Sequence, residues 1–195
     1  MNVKKHFGII GAGAWGTAFA IHLARKGLKV LLWVYESDLY EILKAKRENK
    51  FYLPGFTLHE NIDFTDNLQV IAHKPENIVI ATPSFALRKT IEPISSVLID
   101  KNILILTKGL EIDTLLRMSQ VIEELLDRSN NRIAVLSGPS FAEEVARENF
   151  TSVVLASANR KLSAEFQRLI HTDNFRVYTS EDVLGVELGG AMKNV

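Results

Sequence analysis

The chain has 195 residues, 47% of them hydrophobic, with 23 Lys and Arg against 23 Asp and Glu, a formal net charge of zero and no cysteine. This fits one soluble domain or one and a fraction, and the balanced charge supplies no counterion-release drive towards nucleic acid or an anionic membrane surface. Without cysteine there is no disulfide scaffold, thiol nucleophile, iron–sulfur cluster or sulfur-ligated zinc site; a reducing, cytoplasmic setting agrees with this, and no metal site is expected.

At the N-terminus, Lys4 and Lys5 precede an apolar, small-residue run from Phe7 to Ala24 in which Ala18-Phe19-Ala20 resembles a cleavage box. Gly8, Gly11, Gly13 and Gly16 weaken the helix that a signal core or membrane span needs, and His22 and Arg25 add polarity, so neither is expected. The run reads instead as a strand, Phe7–Ile10, a glycine loop and a helix, Trp15–Lys26, closed by Gly27. Gly11, Gly13 and Gly16 make Gly-x-Gly-x-x-Gly. In a dinucleotide-binding loop the first glycine makes the tight turn, the second lets a diphosphate approach the backbone, and the third allows helix to pack on strand.

A second strand, Lys29–Val34, leads to Tyr35 and Glu36, twenty residues after Gly16. An acid there accepts hydrogen bonds from the adenosine ribose hydroxyls and repels a 2′-phosphate, favouring NAD over NADP; the plainer alternative is a solvated loop residue. Asp38 and Glu41 suggest a capping box for a helix running to about Glu48, and residues 49–67, with Pro54-Gly55, read as an extended excursion. Ile78–Ala81 and Ile103–Leu106 are apolar at every position, as strands covered on both faces of a parallel sheet are. The helix between them, Ala86–Leu98, is expected to break at Pro93.

Lys108 follows the strand Ile103–Leu106, at the sheet edge where parallel α/β folds bind ligands. Helix Asp113–Leu126 and strand Ile133–Leu136 lead to Ser137-Gly138-Pro139-Ser140 at the equivalent place. There Ser140 and Glu143 suggest another capping box, for a helix to about Glu148. A surface lysine and a plain helix cap are the alternatives for Lys108 and Ser140. Strands Ser152–Ala156 and Phe175–Tyr178 flank helix Leu162–Ile170. The final helix, Val183–Val195, contains Gly189-Gly190, each costing about 1 kcal/mol relative to Ala, which predicts a close backbone approach. Lys193 shares a face with Gly190, as a general base would if burial and a like-charged neighbour such as Lys108 lowered its pKa; an exposed lysine at a helix crossing is the alternative. This helix is still running at Val195, so the chain is read as the N-terminal piece of a longer one.

Six segments together resemble NAD-dependent glycerol-3-phosphate dehydrogenases: residues 11–18 (GAGAWGTA), 32–36 (LWVYE), 48–55 (ENKFYLPG), 107–111 (TKGLE), 137–144 (SGPSFAEE) and 189–195 (GGAMKNV). The resemblance implies an oxidoreductase interconverting sn-glycerol 3-phosphate and dihydroxyacetone phosphate, with Lys193 as general base. It implies substrate contacts from Lys108, Gly138, Ser140, Lys193 and Asn194. Around the cofactor it places Gly11, Ala12, Gly13, Ala14, Trp15, Gly16, Tyr35, Glu36, Phe85, Lys108 and Ala142. Bacterial members often carry basic residues where this chain has Tyr35-Glu36, a pattern that here looks more like the NAD-using eukaryotic one.

The implied architecture is a Rossmann-like, doubly wound, mostly parallel α/β domain over residues 1–180, with residues 181–195 as the first helix of a truncated all-helical substrate domain. It also implies a cytoplasmic homodimer at full length, a small phosphate substrate, no integral membrane segment, and negligible turnover by these 195 residues alone. A related dehydrogenase of a hydroxy acid or sugar acid phosphate, and a non-catalytic NAD-binding module, are the competing readings.

Overall fold

A computed structural model of the chain describes residues 6–127 and 132–192. In chain order the elements are β1 His6–Ile10, α1 Ala14–Arg25, β2 Lys29–Trp33, α2 Ser37–Lys46, β3 Ile62–Thr65, α3 Leu68–His73, β4 Asn77–Ile80 and α4 Ser84–Ile91. A 3-10 turn, Glu92–Ile94, joins α4 to α5 Ser95–Leu98. Then follow β5 Asn102–Ile105, α6 Met118–Leu126, β6 Ile133–Ser137, α7 Ala142–Ala146, β7 Thr151–Ala156, α8 Arg160–Ile170, β8 Phe175–Ser180 and α9 Val183–Met192.

All eight strands form one sheet in the order β3-β2-β1-β4-β5-β6-β7-β8. β1 to β6 are mutually parallel, β7 is antiparallel to β6, and β8 is parallel to β7. The register sorts the apolar side chains onto two faces. Ile9 lies opposite Leu32 and Val79, and Val79 opposite Leu104; these join Phe19 and Leu23 of α1 and Phe166 of α8 in one core. Ile10, Ile80 and Ile105, also in register, join Leu87 of α4 and Ile122 of α6 in the other. Both faces are therefore covered, which is why the central strands need no polar alternation. From β1 the chain winds outward through β2 and β3, then returns to β4 on β1's other side. The split between β1 and β4 is the topological switch point, where the loops leaving both strands diverge and open a crevice.

The doubly wound α/β architecture and the break at Pro93, now the 3-10 turn, agree with the sequence reading. Several local expectations do not. The excursion 49–67 ends in a strand, β3, followed by the short α3. Neither capping box forms: α2 begins after Glu36 and α7 after Phe141, both without a side-chain cap. Asp38 instead accepts from the adjacent Leu39 amide, and Ser140 turns back on Gly138, its amide 2.9 Å from that carbonyl. The helix expected from Asp113 starts at Met118, because Leu115 takes a left-handed conformation (φ 58°) and Leu110 bridges to Arg117 across the resulting turn. Among the described residues no helix is long and apolar enough to cross a membrane.

Candidate functional site at the carboxyl edge of the sheet

The glycine loop runs from β1 into α1 at the switch point, and its three glycines differ in what surrounds them. Gly11 has φ +115°, and a Cβ there would lie 2.8 Å from the Ala81 carbonyl oxygen. A Cβ on Gly16 would lie 2.0 Å from the Gly11 carbonyl oxygen, so helix and turn interlock only with hydrogen at that position. A Cβ on Gly13 would meet nothing within 4 Å. Gly13 is also the N-cap of α1, which carries no side-chain cap, so the first-turn amides of Ala14, Trp15 and Gly16 open onto the crevice with the positive end of the helix dipole behind them. A turn, an open approach and a tight helix contact are what a dinucleotide diphosphate requires. Among the described residues, two buried polar atoms on this edge have no hydrogen-bond partner: Trp15 Nε1 in α1 and Thr82 Oγ1 just beyond β4.

At the end of β2, Tyr35 is exposed, its ring edge-on to Trp33 at 5.9 Å. Glu36 is half-buried, and its Oε1 accepts from Tyr52 Oη at 2.6 Å. That bond, with the carboxylate charge, holds the Tyr52 phenol above its ordinary pKa. Phe85, in the first turn of α4, is exposed on the rim. Ala142 is partly buried against the α1-side core.

Beyond β5, Lys108 Nζ donates to the Gly138 carbonyl at 3.1 Å, joining the loops that follow β5 and β6. Ser140, buried, folds over the same carbonyl. Helix α9 closes on this pair. A Cβ on Gly190 would lie 2.5 Å from Ser137 Oγ and 3.7 Å from Lys108 Cγ, whereas Gly189 faces open space, so Gly190 is the close approach that the glycine pair signalled. Lys193 and Asn194 lie outside the described residues. The glycine loop and Glu36 thus share the edge beside β1, Lys108, Gly138 and Ser140 gather beyond β5 and β6, and Tyr35 and Phe85 stand on the rim.

Two features of this edge were not singled out from the sequence. The buried Glu187 pins α9: it accepts from Arg117 Nη1 at 2.6 Å, the Ser119 amide at 2.8 Å and Ser119 Oγ at 2.6 Å. Its signal was an acid one turn before Gly190 in an otherwise apolar helix. Asn49, wholly buried, bonds to the glycine loop; it lies in one of the segments that carry the resemblance, but nothing in its spacing marked it.

Comparison with known proteins agrees with this geometry. The glycerol-3-phosphate dehydrogenase [NAD(P)+] of Geobacter sulfurreducens is 45% identical over 99% of this chain, which spans 58% of that protein's length. The crystal structure of glycerol-3-phosphate dehydrogenase from Coxiella burnetii superposes with a TM-score of 0.92 at 38% identity, covering 98% of this chain and 58% of the other. The Saccharomyces cerevisiae enzyme gives a TM-score of 0.84 at 27% identity, over 97% and 60%. The likeness to these bacterial proteins is thus greater than that to the yeast enzyme. The family model for the NAD-dependent glycerol-3-phosphate dehydrogenase N-terminus matches residues 6–163, and the chain belongs to that family.

Proposed function

We propose that this chain is the dinucleotide-binding part of an oxidoreductase that interconverts sn-glycerol 3-phosphate and dihydroxyacetone phosphate, serving glycerol and glycerophospholipid metabolism and preferring NAD to NADP. The observation that carries this reading is the convergence of three sequence-distant motifs at one sheet edge. The glycine loop opens onto the switch point, Lys108 is tied to Gly138, and Gly190 brings α9 onto both. NAD bound on that loop supplies the hydride acceptor, and NADH the donor.

The chain's own groups do the rest. The amides following Gly13 hold the diphosphate, Trp15, Tyr35, Phe85 and Ala142 border the dinucleotide, and Glu36 takes the ribose hydroxyls. Lys108, Gly138, Ser140 and Asn194 position the substrate, so that encounter becomes an intramolecular event. Lys193, three residues beyond Gly190, removes the C2 hydroxyl proton in the oxidative direction and returns it in the reductive one. Residues 181–195 begin a helical substrate domain. In support, α9 is apolar on its outer side too, with Leu184, Leu188 and Met192 exposed, as befits a helix packed on more than one side. The same reading places the complete protein in the cytoplasm as a homodimer.

In the complete protein, Lys193→Ala is expected to lower kcat by about 10³-fold while leaving NADH affinity within about twofold. Retained kcat, or greater activity on a hydroxy acid or sugar acid phosphate, would overturn the assignment.

A further inference from the structure

Asn49 is 0% exposed, and every hydrogen bond of its side chain is spent on local architecture. Its Nδ2 donates to the Ala12 carbonyl and to Thr17 Oγ1, each at 2.8 Å, and its Oδ1 accepts from the Tyr52 amide at 3.1 Å. The amide orientation follows from chemistry, because a carbonyl oxygen only accepts. Thr17, also 0% exposed, donates from Oγ1 to the same Ala12 carbonyl at 3.2 Å. Two buried donors from separate parts of the chain therefore draw one carbonyl of the glycine loop into the protein.

The Ala12–Gly13 peptide is planar and trans, so its C=O and N–H point in opposite directions. Drawing the Ala12 oxygen inward turns the Gly13 N–H outward. Gly13 is also the residue whose missing Cβ leaves open space. Glycine on both sides of Ala12 gives this peptide freedom to rotate, so without the inward bonds nothing in the loop's own sequence would hold that amide in place.

We propose that Asn49 is a positioning residue for the dinucleotide diphosphate: with Thr17 it locks the Ala12–Gly13 peptide so that the Gly13 N–H is presented to the phosphates before they arrive. This rests on the dinucleotide-binding reading above.

The test titrates NADH, ADP-ribose and adenosine into the 195-residue chain and into Asn49→Ala, with the thermal midpoint of each protein recorded. The expected result is an increase in Kd of about tenfold for NADH and ADP-ribose, the loss of one preorganised hydrogen bond, and less than about twofold for adenosine, which has no diphosphate. An equal factor for all three ligands, or an unchanged ADP-ribose Kd in a folded variant, overturns the proposal. Should Asn49→Ala fail to fold, Thr17→Val removes the second donor at nearly constant shape and is expected to give the same selective loss, with Thr17→Ser restoring affinity; equal effects of the two substitutions overturn it as well. If the unsubstituted chain binds neither NADH nor ADP-ribose, the dinucleotide reading itself falls, and this inference with it.

Discussion

Glu36 sits where β2 gives way to α2, its carboxylate held by the Tyr52 hydroxyl. On the proposed reading, an anion fixed at that point would accept the two hydroxyls of an unmodified ribose and oppose a 2′-phosphate, which brings nearly two negative charges of its own. Glu36→Arg is therefore expected to shift the ratio of NADH to NADPH affinity by about tenfold or more towards NADPH. Fluorescence titration of the two reduced cofactors measures this, and an unchanged ratio would remove Glu36 from the ribose role. At this scale the glycine loop's geometry was legible because it depends on spacing along one short strand–loop–helix unit. Asn49 was not. Its importance comes from being buried against a loop 37 residues earlier in the chain, and a polar residue in a polar stretch gives no sign of burial.

Among the elements, α9 shows how a helix with little amphipathic contrast is held in register. Gly190 removes the side chain that would collide with Ser137, and Glu187, one turn earlier, takes three hydrogen bonds from the first turn of α6 and its N-cap Arg117. The negative carboxylate meets the positive end of the α6 dipole, with the Arg117 guanidinium alongside. Glu187→Ala removes the carboxylate partner of Arg117, which keeps only its bond to Ser119 Oγ, and leaves the Ser119 amide without its acceptor. It is expected to cost about 2–3 kcal/mol in urea unfolding and to raise amide exchange over residues 183–192 well before the central strands. Exchange in α9 no faster than in the unsubstituted chain would show that the clamp does not hold it. The inner strands were readable because burial on both faces leaves them uniformly apolar. β3, of four residues, was hidden in a polar excursion, and α3, of six residues just beyond it, is too short for a helical period to show. Arg47 organises that excursion from the left-handed end of α2, donating to the carbonyls of Leu58, His59 and Ile62, a long-range arrangement with no local signature.

For the molecule as a whole, the seam between the parallel half of the sheet and its reversed pair β7 and β8 is fastened from the far end of α1. Arg25 donates to the Ala146 carbonyl at the end of α7, Lys26 to those of Arg168 and His171 at the end of α8, and His22 Nε2 to Ile170 at 2.7 Å. Since a carbonyl only accepts, His22 carries its proton on Nε2 and is neutral there. Burial first, then the Lys26 and Arg25 charges, pull its pKa down to about 4, against the opposing effects of the Ile170 hydrogen bond and Glu148. In the unfolded chain the imidazole titrates near its ordinary 6.5, so as pH falls below that value the unfolded state takes up the proton first. Stability that is complete above pH 6.5 is thus lost progressively down to about pH 4, by roughly 3 kcal/mol for a gap of this size. Glu111, held near pKa 2 chiefly by its bidentate bond from Arg88, adds a further loss only below its ordinary 4.5. Urea midpoints at pH 7.0, 5.5 and 4.5 are therefore expected to fall steadily in the unsubstituted chain. In His22→Gln, whose amide can still donate to Ile170 but does not titrate, they should fall much less across the same interval; parallel slopes for the two proteins would show that the acid sensitivity arises elsewhere than at this seam.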